Sequence, residues 1–468
     1  MMLLSQAAQI LGGKLVGPDV LFTSVSSDSR AITPGDLFIA LQGEHFDGSA
    51  FVAGALQSGA VAALVNEGRM QDAGCGIEES GRVLNPASSI LYVEDTRLAL
   101  GRLAAHWRAQ FVIPVVAVTG SNGKTTVKEM LASILRVAAG SDDAVLATRG
   151  NLNNDIGMPL TLLQLRANHR YAVIEMGMNH SGEIDYLTRI GRPDVAIVNN
   201  AASAHLAGLG SVEAVARAKG EIFAGLPDSG IAVINADDAH APLWRQLAGK
   251  RAVIEFGLER NVAVHAQWQV QGYGAHIEVS TPQGNFSTVL QVPGVHNVRN
   301  ALAATSAAVA LHIPLSDIAT GLEKFSGVAG RLQRKTAQCG AQLIDDTYNA
   351  NPASLRSAIK VLVQSAGKKI LVLGDMGELG ADAAPLHGEI GAEARRMGVN
   401  EMLALGDLSA YAADEFGAGA QHFQRIEDLL AALDRDMDAD STVLVKGSRF
   451  MRMERVVQHC TSAQRGNK

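Results

Sequence analysis

Residues 115–126 read VVAVTGSNGKTT, and VKEMLASILRVA follows at 127–138. Val115, Val116, Ala117 and Val118 are an unbroken apolar run, the pattern of a strand buried in a parallel sheet. Gly120, Ser121, Asn122 and Gly123 make a turn, and an amphipathic helical run begins after Lys124, Thr125 and Thr126. Strand, glycine turn, Lys-Thr and helix form the outline of a phosphate-binding loop spanning Thr119 to Thr126. Glycines let backbone N–H groups approach phosphates, the helix N-terminus supplies partial positive charge, and Lys124 adds a full one. Thr125 would offer its hydroxyl to Mg²⁺. The spacing departs from the common pattern: two residues, not four, separate Gly120 from Gly123. A purely structural glycine turn is the competing reading. The strand before it and the helix after it favour phosphate.

At 468 residues the chain exceeds one core, and about three domains is the natural division. With 47% hydrophobic and 19% charged residues, the composition is that of a soluble α/β protein. A net charge of −7 gives no global basic field, so nucleic acid is not expected as a partner and phosphate must be held locally. Cys75, Cys339 and Cys460 form no CxxC pair, which suits a reducing cytosol. The N-terminal MMLLSQAAQILGG has no basic stretch before its apolar run, and no window reaches the length of a membrane span. The expectation is a cytoplasmic protein.

Working outward, residues 1–112 form a first unit, with Ser5 expected to cap a helix ending at Gly12-Gly13. Pro114 marks the boundary. In 113–330 the apolar runs 115–118, 171–175, 195–199, 231–235 and 252–256 alternate with helical segments, which predicts a mainly parallel sheet. Shorter strands from Val262 to Val292, turning at 281–285, read as an antiparallel add-on. Residues 331–468 repeat the α/β rhythm, with strands near 342–345, 369–373, 401–404 and 442–445.

Several residues near strand ends are candidates for chemistry. Glu175 closes YAVIE, at the crevice where open α/β sheets bind ligands, and reads equally as a Mg²⁺ ligand or a surface acid. His205 follows the strand 195–199, although a lone loop histidine is more often a hydrogen-bonded surface residue. Lys219 lies among apolar neighbours, where a lysine usually extends its charge to water; carbamylation is the sharper alternative. Asn297 and Asn300 open a helix, as caps or as readers of an adenine edge. Arg331 sits at the second boundary, and Asp346 follows a strand, either reaching a ribose hydroxyl or closing an Asx turn. Ser27, Asp28, Ser29 and Arg30 are candidates for a second anionic ligand, and Arg449 for a bidentate carboxylate clamp.

Together these motifs resemble the Mur ligases, the ATP-dependent amide-forming enzymes of peptidoglycan precursor synthesis. TGSNGKTT is similar to that family's short-spaced phosphate loop. GNLNNDIGMP (150–159), EMGMNHSGEI, NNAASAHL, AKGEIF, NADD, HNVRNALAA and GRLQR follow in the family's order over nearly the whole chain. DDTYNANPAS and LGDMGELG point to the member that adds a dipeptide, and the DNPR motif of the diaminopimelate-adding member is absent.

The resemblance implies an α/β fold of three domains. These are a small N-terminal α/β domain for the UDP-sugar, a central P-loop ATPase domain with an antiparallel add-on, and a Rossmann-like C-terminal domain for the incoming dipeptide. It implies ATP, UDP-N-acetylmuramoyl-tripeptide and D-alanyl-D-alanine as ligands of a monomer. Lys124 would hold phosphates, Thr125 and Glu175 one Mg²⁺, and His205 with a carbamylated Lys219 a second. Asn297, Asn300, Arg331 and Asp346 would surround the nucleotide. Asn151, Asn153, Asn154, Asn349, Asn351 and Arg449 would join Ser27–Arg30 in holding substrates. A single-amino-acid ligase of the same family, a phosphotransferase, and a nucleotide-gated binding protein without turnover stay open as alternatives.

Overall fold

In the computed structural model, which describes residues 1–43, 46–69, 88–202 and 209–462, the opening stretch forms strand Val115–Thr119 and helix Lys124–Ala139. The strand is buried along its length and runs parallel to Tyr171–Glu175 on one side and Val195–Val198 on the other. Val145–Ala147 lies beyond the first neighbour, while Ile231–Asn235 and Ala252–Gly257 extend the sheet beyond the second. The chain therefore builds outward in opposite directions from Val115–Thr119. Such a reversal opens a crevice at the carboxyl ends of the strands, and the glycine turn sits there.

Gly123, at φ +80°, precedes the helix, and Gly140, at φ +69°, ends it. Val127, Met130, Leu131, Ile134 and Leu135 are buried against helices Val295–Ala310 and Leu315–Lys324. Each such side chain contributes roughly 1.5–3 kcal/mol by leaving water. Packing several turns away thus fixes where the helix begins, and with it the aim of its N-terminal amides.

Val264–Gln271 joins the sheet in parallel at Phe256 and Gly257, then pairs antiparallel with Gly274–Thr281, which pairs with Gly284–Leu290. This is the anticipated add-on, and it completes nine strands. A five-stranded sheet is built from Lys14–Val16, Ser89–Val93, Ala62–Asn66, Asp36–Ile39 and Ser24–Ser26, antiparallel only at the first. Asp95 caps the helix Thr96–Arg108, which packs against Gly157–Leu162 and Glu183–Gly191 of the central region. A third sheet of six strands orders Gln333–Thr336, Gln342–Asp346, Ser441–Lys446, Lys368–Gly374, Glu401–Leu405 and Ala420–Phe423, again with one antiparallel edge.

Two features differ from the sequence reading. Ser5 is not a cap: it lies inside helix Leu4–Leu11, and its hydroxyl donates to Asp19 Oδ2 at 2.7 Å. A tertiary acceptor replaces the backbone amide. The edge strands Val145–Ala147, Gln333–Thr336 and Ala420–Phe423 were also not anticipated, because three or four residues carry too little periodicity. Among the described residues no helix is long and apolar enough to cross a membrane.

Candidate active site

One cleft of about 1180 Å³ receives residues from all three sheets: Asp95 and Arg97 from the first, the glycine turn from the second, and Tyr348, Asn351, Glu378 and Lys446 from the third. Asn122, Gly123, Lys124, Thr125 and Thr126 line it together with Glu175.

Behind the turn runs a chain of asparagine amides. Asn235 Nδ2 donates to the Asn199 carbonyl at 2.9 Å, and Asn199 Nδ2 donates to the Asn122 carbonyl and to Asn300 Oδ1, both at 3.0 Å. Asn300 Nδ2 continues to Asn297 Oδ1 at 3.1 Å, and Asn297 Nδ2 ends on the Pro293 carbonyl at 2.7 Å. Asn200 Oδ1 accepts the Asn122 N–H at 2.8 Å. A Cβ on Gly123 would stand 2.3 Å from Asn300 Oδ1 and 2.6 Å from Asn199 Nδ2, so only glycine lets the turn lie against this chain. Asn297 and Asn300 line the cleft, but their amides are engaged in holding the loop.

Lys124 Nζ donates to the Gly120 carbonyl at 2.7 Å. Burial lowers its pKa, and the Glu175 carboxylate pulls the other way; Arg331 lowers it further and Glu378 raises it. Glu175 is 2% exposed. Its Oε1 accepts from Asn153 Nδ2 at 2.7 Å, its N–H donates to Thr148 Oγ1 at 2.9 Å, and its buried Oε2 has no partner among the described residues. A buried carboxylate oxygen without a donor is costly, and here it lies in a cleft already carrying a threonine hydroxyl.

The third sheet touches the loop directly. Arg331 Nη2 donates to Thr125 Oγ1 at 2.9 Å, and Asn351 Nδ2 donates to Asn122 Oδ1 at 2.9 Å. Arg331 lies 4.2 Å above the Tyr348 ring. The next residue, Leu332, is in the left-handed region at φ +49°, and its N–H donates to Asp346 Oδ1 at 3.2 Å. Burial raises the Asp346 pKa, against the opposing pull of Lys446, whose Nζ also donates to the Asn349 carbonyl at 2.9 Å.

The remaining candidates divide. Asn151, Asn153, Asn154, Asn349 and Arg449 line the cleft; Asn154 Oδ1 accepts the Gly157 N–H at 2.8 Å, and Arg449 pairs with Glu454 at 3.3 Å. Thr119 is buried and donates to the Met176 carbonyl at 2.9 Å, while Ser121 Oγ accepts the Ala202 N–H at 2.9 Å. Thr119 and Gly120 support the turn without lining the cleft. Ser27, Asp28, Ser29 and Arg30 do not line it either; Arg30 hydrogen-bonds Asp28 and holds its carboxyl down to about 2. His205 lies outside the described residues. Lys219 is 1% exposed, and it has no hydrogen-bond or ion-pair partner among the described residues. Burial first, and then the Lys124 charge, push its pKa well down.

Asn199, Asn235 and Tyr348 are not singled out in the sequence, and Lys446 enters only as the start of KGSRFMRME, a segment after a strand. Asn199 and Asn235 are polar residues at or just past the carboxyl ends of buried strands, the signal that singled out Glu175. Applied evenly, it finds them.

Known proteins resemble this chain in sequence and fold. Residues 21–108 match the Mur ligase family catalytic domain, 118–308 the Mur ligase middle domain, and 330–449 the Mur ligase glutamate ligase domain. The chain is 41% identical over 459 residues to the UDP-N-acetylmuramoyl-tripeptide–D-alanyl-D-alanine ligase of Escherichia coli K12, covering 97% of both chains. The enzyme of that name from Bacillus subtilis is 34% identical, with 96% of each covered. A crystal structure of MurF from Acinetobacter baumannii superposes with a TM-score of 0.87 at 38% identity, covering 97% of each chain. MurF ligase from Thermotoga maritima in complex with ADP gives 0.77 at 26%, covering 94% of this chain and 97% of that one. The family's three domain types, found in order around one phosphate loop, make this chain a member of the Mur ligase family.

Proposed function

We propose that the chain joins D-alanyl-D-alanine to UDP-N-acetylmuramoyl-tripeptide, consuming ATP and releasing ADP and phosphate. Convergence carries the reading. The third sheet reaches the loop through Arg331–Thr125 and Asn351–Asn122, in a cleft that the first sheet also enters through Arg97. A nucleotide-gated binder does not need three regions at one phosphate. A ligase with three ligands does. Relatives of the same length carry that ligase's name.

A carboxylate is a poor electrophile, so the tripeptide's terminal carboxylate first accepts the γ-phosphoryl group and becomes an acyl phosphate. Carboxylate and γ-phosphate repel each other, and Lys124 offsets that repulsion where they meet. The dipeptide amine then attacks the acyl carbon, and the tetrahedral adduct collapses with loss of phosphate. Asn297, Asn300, Arg331 and Asp346 surround the nucleotide in this reading. Asn151, Asn153 and Asn154 take the acceptor peptide, and Asn349, Asn351 and Arg449 the dipeptide. Ser27–Arg30 lie apart from the cleft, as a remote nucleotide-sugar subsite would. The corresponding domains are 1–112, 113–330 and 331–468, in a cytoplasmic monomer. Closure around the acyl phosphate excludes water.

The residues fit Mg²⁺. Glu175 has an unpartnered buried oxygen, Thr125 offers a hydroxyl, and no group of three or more His, Cys, Asp or Glu gathers among the described residues. That donor set suits an ion that keeps water and phosphate oxygens as ligands. When bound, the ion neutralises charge on the transferring phosphoryl group. A second ion would rest on His205 and on a carbamate at Lys219. Addition of CO₂ takes the unprotonated amine, the form toward which burial and the Lys124 charge push Lys219, and the resulting anion would replace a cation that Lys124 disfavours.

The test is phosphate release with each substrate omitted in turn. Release is expected only with ATP, the nucleotide-sugar tripeptide and D-alanyl-D-alanine together. Equal stimulation by a single amino acid would assign the chain to another member of the family.

A further inference from the structure

The segment Asp375–Leu379 follows strand Lys368–Gly374 and brings Glu378 to the cleft. Glu378 is held in the left-handed region at φ +62°, a conformation that glycine adopts freely and glutamate does not. Glu378 itself is exposed, and its flanks are held. Met376 N–H donates to His387 Nε2 at 2.9 Å, and His387 Nδ1 is fixed on the Ala383 carbonyl at 2.6 Å. Gly377 N–H donates to Ser448 Oγ at 2.8 Å, and Ser448 N–H to the Asp375 carbonyl at 3.0 Å. Leu379, on the other side, is buried at 3%. A strained residue pinned on both flanks and presented to a cleft marks a functional position more often than a structural one.

What Glu378 faces supplies the chemistry. Glu378 lines the same cleft as Lys124 and Glu175, and both carboxylates favour the charged form of Lys124, Glu175 the more strongly. Glu175 belongs to the loop's own sheet, whereas Glu378 arrives from the third sheet, with Asn351, Ser448 and Arg449 beside it in the same cleft. Lys124 marks where a carboxylate meets ATP in the function proposed above, on which this inference rests. A second carboxylate entering from the third sheet meets whatever arrives there with a positive charge.

We infer that Glu378 is a catalytic residue for the second half of the reaction, receiving the ammonium of the incoming dipeptide and taking one of its protons. The proton count closes. The ammonium gives one proton to the Glu378 carboxylate and becomes a nucleophilic amine. Its lone pair forms the C–N bond, the acyl C–O bond to phosphate breaks, and the second N–H proton leaves with phosphate as hydrogen phosphate. Glu378 then returns its proton to water. His387 acts through the backbone of Met376 and is a positioning residue.

Two variants test this assignment. Glu378→Gln keeps size and backbone strain but removes the carboxylate. With ATP and the nucleotide-sugar tripeptide alone, exchange of ¹⁸O between the β,γ-bridge and the β-nonbridge positions of ATP reports the first half-reaction. That exchange is expected within about threefold of the parent, while kcat/KM for D-alanyl-D-alanine falls roughly 100-fold or more, the size of effect of an acid–base residue. Glu378→Gly relieves the left-handed backbone. It is expected to hold or raise Tm by roughly 1–3 °C while losing ligation equally. The assignment is overturned if Glu378→Gln uses the dipeptide within about fivefold of the parent, or loses both half-reactions alike. The parent assayed alongside separates the two claims. A parent active with D-alanyl-D-alanine, beside an equally active variant, removes only the role of Glu378. A parent inert toward the dipeptide overturns the function itself.

Discussion

Gly123→Ala probes the phosphate loop with a single methyl group. Glycine holds φ +80° there, and a side chain in that region costs about 1–2 kcal/mol. The added carbon would also stand 2.3 Å from Asn300 Oδ1 and 2.6 Å from Asn199 Nδ2, too close for either to stay. Those amides hydrogen-bond each other and, through Asn199 Nδ2, the Asn122 carbonyl. Displacing them leaves buried polar groups short of partners, at about 1–3 kcal/mol. Together the two effects come to about 2–5 kcal/mol, carried by the segment that would hold phosphate. If about 3 kcal/mol of this falls on the bound state, ADP affinity drops roughly 100-fold. Titration calorimetry with Mg·ADP measures it. Gly140→Ala is the control, because φ there is +69° but nothing lies within 4 Å of the added carbon. It should lose some stability and keep ADP affinity. Threefold or smaller weakening in Gly123→Ala would refute the reasoning.

Lys124→Ala should abolish turnover with Tm near the parent's, since a desolvated cation is removed and its partners are loop carbonyls; substantial residual ligation in the coupled assay would contradict that. Lys219→Ala should lose activity and recover part of it with added short-chain carboxylates, and the parent should lose activity reversibly when CO₂ is removed. Arg331→Ala should raise the KM for ATP about tenfold or more, as loss of a charge-assisted partner of about 1.5–3 kcal/mol predicts, with little change in Tm. His296 is half-buried, and its pKa is pushed down to about 4, first by desolvation and then by Lys446 and Arg299. The unfolded chain binds a proton near pH 6.5 that the folded one refuses until about 4. Stability is therefore lost as pH falls through that window, about 2 kcal/mol by pH 5. Urea midpoints at pH 7 and 5 should show a smaller difference in His296→Asn than in the parent.

The loop strand, its glycines and the helix after it were legible because each imposes a local signature: an apolar run, positive φ, and helical periodicity. Glu175 was legible as an acid at a strand end. Its orphaned oxygen was not, since that depends on Asn153 reaching Oε1 and leaving Oε2 without a donor. Lys219 could not be placed from its neighbours, because apolar residues around a lysine fit both an extended chain and a sealed one. The amides of Asn297 and Asn300 read as caps or adenine readers; neither caps its helix, and both hydrogen-bond behind the loop. Their partners lie up to 101 residues away, beyond any local pattern. The cleft itself depends on contacts such as Asn351 to Asn122, 229 residues apart, which only the folded chain brings together.

The central claim is that this cleft joins a dipeptide to a nucleotide-sugar tripeptide. Mass analysis of the product from ATP, UDP-N-acetylmuramoyl-tripeptide and D-alanyl-D-alanine tests it most directly. The expected product is the tripeptide substrate heavier by one dipeptide less one water, with one ADP and one phosphate for each bond made. ATP hydrolysed with no such product, or a product carrying a single amino acid from a mixture containing both, would contradict it.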